Sequence, residues 1–201
     1  MKKESKVLGL LLLLIGLILI HYNIINNFWY EKIENNKITN YFKNDYDAVP
    51  MTKKKKIIES SNKGFYKSYI GIIEIPKINL KKGFYRINSK YNNVANGIEV
   101  LKDSTFPERK NSTLILASHS GNSKVSHFKD LIYLTKNNLV YIYYKNKKYI
   151  YKIEECDKTN KNGHIKIKQY EKGRRLILTT CKNDELDKQY TCYAINIEER
   201  N

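Results

Sequence analysis

From about residue 65 onward the chain is cut into eight short stretches of β-forming residues, and this pattern restricts its fold more than any other feature. In order they read YIGIIEI, NVANGIEVL, STLILAS, LVYIYY, YIYKIEE, HIKIKQY, RRLILTT and QYTCYAINI. Each is rich in Ile, Val, Tyr or Thr and is bounded by Asn, Gly, Asp or Lys, which is how strands of a closed or sandwiched antiparallel sheet present themselves. The fold class expected is all-β. With 201 residues there is room for one medium domain and an accessory segment. No repeat period, Gly-rich phosphate loop or nucleotide-binding fingerprint is present, so a P-loop or Rossmann enzyme is not supported.

The accessory segment lies at the N-terminus. MKKESK precedes an unbroken apolar run from Val7 to Ile20, followed by HYNIINNFWY. The run is shorter than the roughly 20 residues that span a bilayer, but Tyr22, Ile24, Ile25, Phe28, Trp29 and Tyr30 lengthen it with side chains suited to the membrane interface. Lys2, Lys3 and Lys6 precede it, so the positive-inside tendency leaves the N-terminus in the cytoplasm and the remainder outside. A cleaved signal peptide shares the basic start and the apolar run, but no A-x-A-like cleavage site follows, which favours a retained anchor. The expected organisation is an N-terminal membrane anchor over residues 1–30, a polar and partly helical stalk over 31–64, and the β domain over 65–201. The stalk carries the run Lys53 to Lys56, which reads as a solvated face or as a contact for anionic headgroups or wall polymer.

The formal net charge is +17, from 37 Lys and Arg against 20 Asp and Glu. Such a balance suits a nucleic acid, an anionic membrane or an anionic wall polymer, or belongs to an ordinary solvated surface. A nucleic-acid partner fits poorly with a domain outside the cell. The cysteines are Cys156, Cys181 and Cys192. Their odd number, the lack of a C-x-x-C pair and the lack of His at ligand spacing indicate neither a zinc site nor a disulfide framework, and imply at least one free thiol. Alternation puts Cys192 on the face opposite Thr191 and Tyr193; it reads as a core residue, as does Cys156, with a regulatory Cys192–Cys181 disulfide the lesser alternative.

Two places carry candidate chemistry. In RRLILTTCKND, Cys181 follows an apolar strand-like run at the point where it gives way to a polar loop, so a sheet can hold the residue while substrate reaches it. A lone cysteine is more often a small buried hydrophobe. In LILASHSGNSKVSHF, His119 stands at the mouth of another such run, among Ser118, Ser120 and Gly121, which suggest an exposed turn. An imidazole brought beside a thiol by converging strand ends can take its proton and later return one to a leaving amine. His127 and His164 compete for that role, with His164 reading as a strand opener.

These stretches together resemble the sortase family, over about residue 69 to the C-terminus. IGIIEIPKINL is similar to the family's first-strand signature. NNVANGIEVL with STFPERKNSTLILASHSG is similar to the segment leading to its catalytic His. LILTTC resembles the T-L-x-T-C signature, with Leu178, Thr180 and Cys181 matching and Ile177 in place of the first Thr. The resemblance implies a sortase-type closed β-barrel with short helices behind an N-terminal transmembrane helix. It also implies a transpeptidase in which Cys181 attacks the backbone carbonyl after the Thr of a C-terminal sorting motif. The thioester acyl-enzyme is then resolved by an amine of a peptidoglycan precursor or a pilin, His119 serving as acid and base and Thr180 positioning substrate. The partners implied are surface proteins bearing the motif, the amine acceptor and the membrane.

One departure stands out. The family usually carries an Arg on the strand after the Cys, to hold substrate or oxyanion, and no Arg lies between Cys181 and Arg200. Gln189 occupies that slot with Lys188 beside it; Gln offers an uncharged hydrogen bond and Lys a point charge, neither a planar fork. Arg174 and Arg175 are upstream substitutes if one reaches the groove. Thiol, imidazole and donors complete the chemistry, so no metal and no organic cofactor is expected. The alternative function is a catalytically degenerate, membrane-anchored basic module that binds wall polymer or sorting-signal peptides.

Overall fold

The computed structural model describes residues 2–43, 68–160, 172–181 and 188–201. The expected strand HIKIKQY, His164 and the run Lys53 to Lys56 lie outside them. The chain divides into two compact units, Met1–Asn36 and Lys37–Asn201.

The first unit is built from helix α1, Lys2–Lys43, whose last residues belong to the second unit. Leu, Ile and Gly fill residues 8–20 with no proline to stop the helix. Its apolar side chains from Val7 to Leu19 are exposed. No single helix among the described residues is long and apolar enough to cross a membrane. The pair Val7–Leu19 and Ile24–Lys43, bent by 45°, meets that length and composition together.

Among the described residues the second unit is one sheet of eight strands: β1 Gly71–Ile75, β2 Leu80–Phe84, β3 Glu99–Val100, β4 Ser112–Ala117, β5 Leu139–Tyr144, β6 Lys147–Asn160, β7 Arg174–Cys181 and β8 Lys188–Arg200. Their order is β2-β1-β5-β6-β8-β7-β4-β3. The two edges meet at a parallel bridge between Phe84 and Ile98, which nearly closes the sheet into a barrel. Short 3-10 turns at Pro76–Ile78, Val94–Asn96 and Leu131–Tyr133 interrupt the loops. The sheet is not antiparallel throughout: β4 and β7 run parallel, Leu114 opposite Leu176 and Ala117 opposite Thr179. That pair requires a long crossover, which here includes β5 and β6.

Alternation sorts the side chains into an inside and an outside. Ile73 and Ile75 of β1, Leu114 and Leu116 of β4, and Leu176 and Leu178 of β7 point into one buried core with Phe84, Phe128 and Tyr151. Their neighbours face outward, where Ile72 packs with Tyr69, Tyr85 and Ile38 from the last turns of α1, and Ile115 packs with Ile177 and Tyr193. Thus the C-terminal end of α1 covers the outer face of β1 and β5; Tyr41 donates a hydrogen bond to the Tyr143 carbonyl at 3.1 Å.

The seam of the barrel has room for no side chain at Gly71. A Cβ built there would stand 2.2 Å from the ring of Phe84, which is fully buried. Gly71→Ala is therefore expected to lower stability by about 1–3 kcal/mol through overpacking, measurable as an earlier urea midpoint with an unchanged slope. An unchanged midpoint would show that Phe84 moves aside without cost.

Two expected features differ. NVANGIEVL yields a 3-10 turn and a two-residue strand, because the Asn93 side chain accepts from Asn96 N–H at 3.1 Å and Glu99 accepts from Val94 N–H at 3.1 Å. And Cys156 and Cys192 are a disulfide, not separate core thiols. They are direct register partners on β6 and β8, with Cα atoms 4.0 Å apart.

Candidate active site

The parallel pairing of β4 and β7 determines where the candidate residues lie. Parallel strands end on the same side of a sheet, so the apolar runs LILA and LILTT both open toward one rim. Ala117 and Thr179 are register partners. His119 and Cys181 each stand two residues further along, so residues 62 apart in sequence come to the same level of the barrel. Adjacent strands are about 4.8 Å apart. Two hydrogen bonds extend the contact past Ala117: Ser118 N–H donates to the Thr179 carbonyl at 3.3 Å, and the Thr180 hydroxyl donates to the Ser118 carbonyl at 2.7 Å.

The His119 side chain is exposed while its backbone is held, its carbonyl accepting from Phe128 N–H at 3.1 Å. Phe128 is fully buried in the core and anchors this return of the loop. An imidazole open to solvent at a fixed backbone position is suited to exchanging protons with a ligand.

His127, the competing histidine, sits differently. Its ring lies over Gly97, where a Cβ would come within 3.2 Å of Nε2 and where φ is +135°, a conformation glycine adopts without strain. Burial, and secondarily the charge of Lys82, lower its pKa to about 4. It is thus a neutral packed residue near neutral pH. The unfolded chain takes up this proton near pH 6.5, so folding stability is fully present above that value and falls as pH drops toward 4. The loss is on the order of 3 kcal/mol. Urea titrations of the wild type and His127→Gln should diverge by that amount between pH 7 and pH 4; parallel curves would contradict a buried neutral imidazole.

Gln189 is the β8 register partner of Cys181, so the slot usually filled by Arg is directly across from the candidate nucleophile. Lys188 pairs with Asn160 of β6, and its ammonium donates to the Asn160 side chain. Arg174 and Arg175 do not substitute for the missing Arg. They begin β7, some six residues or about 20 Å from Cys181. Arg174 pairs with Glu199 at 2.9 Å and Arg175 with Glu154 at 2.6 Å. Among the described residues no group of His, Cys, Asp or Glu is arranged to hold a metal ion.

The expected exposed turn is not what the structure shows at the two serines: Ser118 and Ser120 are buried, 3% and 6% exposed. Ser118 joins three segments at this rim, a role that its adjacency to His119 in sequence did not reveal.

The chain matches the sortase domain model over residues 73–196, and it belongs to the sortase family. Solved structures agree in fold. Sortase C of Clostridium perfringens, determined with a C-terminal cell wall sorting motif, superposes with a TM-score of 0.63 at 19% identity, covering 81% of this chain and 98% of that one. The sortase D5 transpeptidase of the same organism gives 0.62 at 18% identity, covering 83% and 99%. Sortase C1 of Streptococcus agalactiae gives 0.59 at 22% identity, covering 77% and 94%. A search of curated proteins returned no match.

Proposed function

We propose that the chain is a working sortase transpeptidase whose nucleophile is Cys181 and whose acid and base is His119. Cys181 attacks the backbone carbonyl after the Thr of a C-terminal sorting motif; the thiolate sulfur bonds to carbon and the C–N bond breaks. His119 gives the leaving amine its proton. The thioester is then attacked by an amine of a peptidoglycan precursor or a pilin, which yields a new amide and returns the thiol. The observation that carries this reading is the parallel β4–β7 register, which brings His119 and Cys181 to one level at one rim. The sorting motif bound by the sortase C of similar fold supports the substrate class.

Gln189 supplies the uncharged donor that faces the tetrahedral oxyanion, with Lys188 a second, charged donor nearby, and Thr180 helps set the site that receives the substrate. Losing one such donor typically costs about 100-fold or more in turnover. The segments 1–30, 31–64 and 65–201 act as anchor, stalk and catalytic domain, in a single-pass protein with a cytoplasmic N-terminus and an extracellular barrel. The Cys156–Cys192 disulfide supports that location, since disulfides persist outside the cell and are rare in the cytosol.

The test is transfer: the 201-residue chain is incubated with sorting-motif peptides and a small amine, and amide product is followed by chromatography beside Gln189→Ala. Product that requires both peptide and amine and falls in the variant is expected. Peptide binding without product would favour the basic binding module.

A further inference from the structure

Ser118 and Thr180 form a buried hydrogen-bonded staple between the two strand ends that carry the candidate dyad. The Thr180 hydroxyl donates to the Ser118 carbonyl at 2.7 Å, and Ser118 N–H donates to the Thr179 carbonyl at 3.3 Å. Ser118 and Thr180 are 3% and 4% exposed. Each is the immediate neighbour of a dyad residue, so the contact fixes the chain just before His119 to the chain just before Cys181.

The Ser118 hydroxyl extends the staple into the wall behind it. It donates to the Gly97 carbonyl at 2.9 Å, has the Val125 carbonyl as a second acceptor at 3.2 Å, and accepts from His127 N–H at 3.3 Å. One side chain thereby ties the β3 approach, the end of β4 and the loop returning at Phe128. The rim has no regular ladder beyond Ala117 on the β4 side, and these bonds continue the pairing where strand geometry stops. A buried hydroxyl with satisfied partners orients its neighbours because any shift leaves polar groups unpaired in a dry setting.

We infer that Ser118 and Thr180 are positioning residues for the His119–Cys181 pair, acting through the backbone of the two strand ends. This rests on the dyad reading above, and it predicts a property measurable without any substrate. The chain has three cysteines, two of them joined in the disulfide, so Cys181 is the one thiol. Its alkylation rate reports how well the imidazole activates it.

The experiment measures iodoacetamide alkylation of the 201-residue chain by intact mass, with melting temperatures alongside. The variants are His119→Ala, Thr180→Val, Thr180→Ser, Ser118→Ala and the double variant His119→Ala with Thr180→Val. Val matches the shape of Thr but lacks the donor, whereas Ser retains the hydroxyl. Expected are slow alkylation in His119→Ala, rates lowered about 5- to 10-fold in Thr180→Val and Ser118→Ala, the factor a buried hydrogen bond is worth, and a near wild-type rate in Thr180→Ser. The double variant should be no slower than His119→Ala, since the staple works through the imidazole. If His119→Ala alkylates like the wild type, the dyad reading itself fails. If His119→Ala is slow while Thr180→Val and Ser118→Ala remain fast, the dyad stands and the staple is overturned. Equal slowing in Thr180→Ser and Thr180→Val would overturn it as well, since a variant that keeps the hydroxyl would then be as impaired as one that lacks it.

Discussion

Replacing His119 with Ala is expected to lower amide transfer by about 100- to 10,000-fold, the span a positioned general acid and base contributes, and replacing Cys181 with Ala is expected to abolish it. The two losses differ in kind. Without the thiol no acyl-enzyme forms. Without the imidazole the thiol remains, but no positioned base takes its proton and the leaving amine has no proton donor. The residual rate of His119→Ala should therefore rise more steeply with pH than the wild-type rate, as hydroxide takes the place of the missing base. Because His119 is exposed and its backbone is held from Ser118 and Phe128, the variant should keep its fold and its melting temperature. A loss of transfer accompanied by unfolding would assign His119 to structure instead.

The second large effect concerns the Cys156–Cys192 bridge. It closes a loop over a sequence separation of 36, for which the chain-entropy relation gives about 4 kcal/mol of stabilisation. For a domain of this size that is about 10 °C in melting temperature. Cys156→Ala with Cys192→Ala should melt lower by that order, and the reduced wild type should fall with it. The bridge also fixes β6 to β8 just beyond a register shift between Ile153 and Glu155, on the arm that continues to Asn160 and Lys188. Gln189 lies on that arm, so the double variant should lose activity as well as stability. An oxidised and a reduced wild type that melt together would contradict the bridge. So would three alkylated thiols in the denatured, unreduced chain.

The barrel was legible in the sequence because alternation is a local property. The side chains of GIIEI, STLILA and RRLILTT already separate into inward and outward sets before any pairing is known, as Ile72 and Ile73 do in the structure. What was not legible is what depends on partners distant in the chain. The parallel β4–β7 pair looks, in sequence, like any two apolar runs. The Cys156–Cys192 bridge depends on a β6–β8 register that a bulge shifts, and no spacing rule anticipates it. NVANGIEVL has β-forming residues, yet the Asn93 and Glu99 side chains satisfy the backbone of a turn and leave only Glu99–Val100 as strand.

The candidate site divides in the same manner. Cys181 and His119 were visible as polar residues at the ends of apolar runs, and the structure carries both runs to one rim. Gln189 was placed by counting back along QYTCYAINI, and it does lie opposite Cys181. Arg174 and Arg175 looked available because a sequence does not show that they start the strand Cys181 ends, nor that Glu199 and Glu154 pair with them. Ser118 read as part of an exposed turn, since a serine beside a candidate histidine is indistinguishable from any turn serine until its three backbone partners are known.

The central claim is that Cys181 forms an acyl-enzyme with a sorting-motif peptide. Intact-mass spectrometry of the 201-residue chain, incubated with such peptides in the absence of an amine, measures it directly. The account predicts an adduct with the mass of the acyl portion up to the motif's Thr, located on Cys181, absent from Cys181→Ala and discharged when an amine is added. An adduct that persists in Cys181→Ala, or peptide that binds the wild type and never acylates it, would contradict the account.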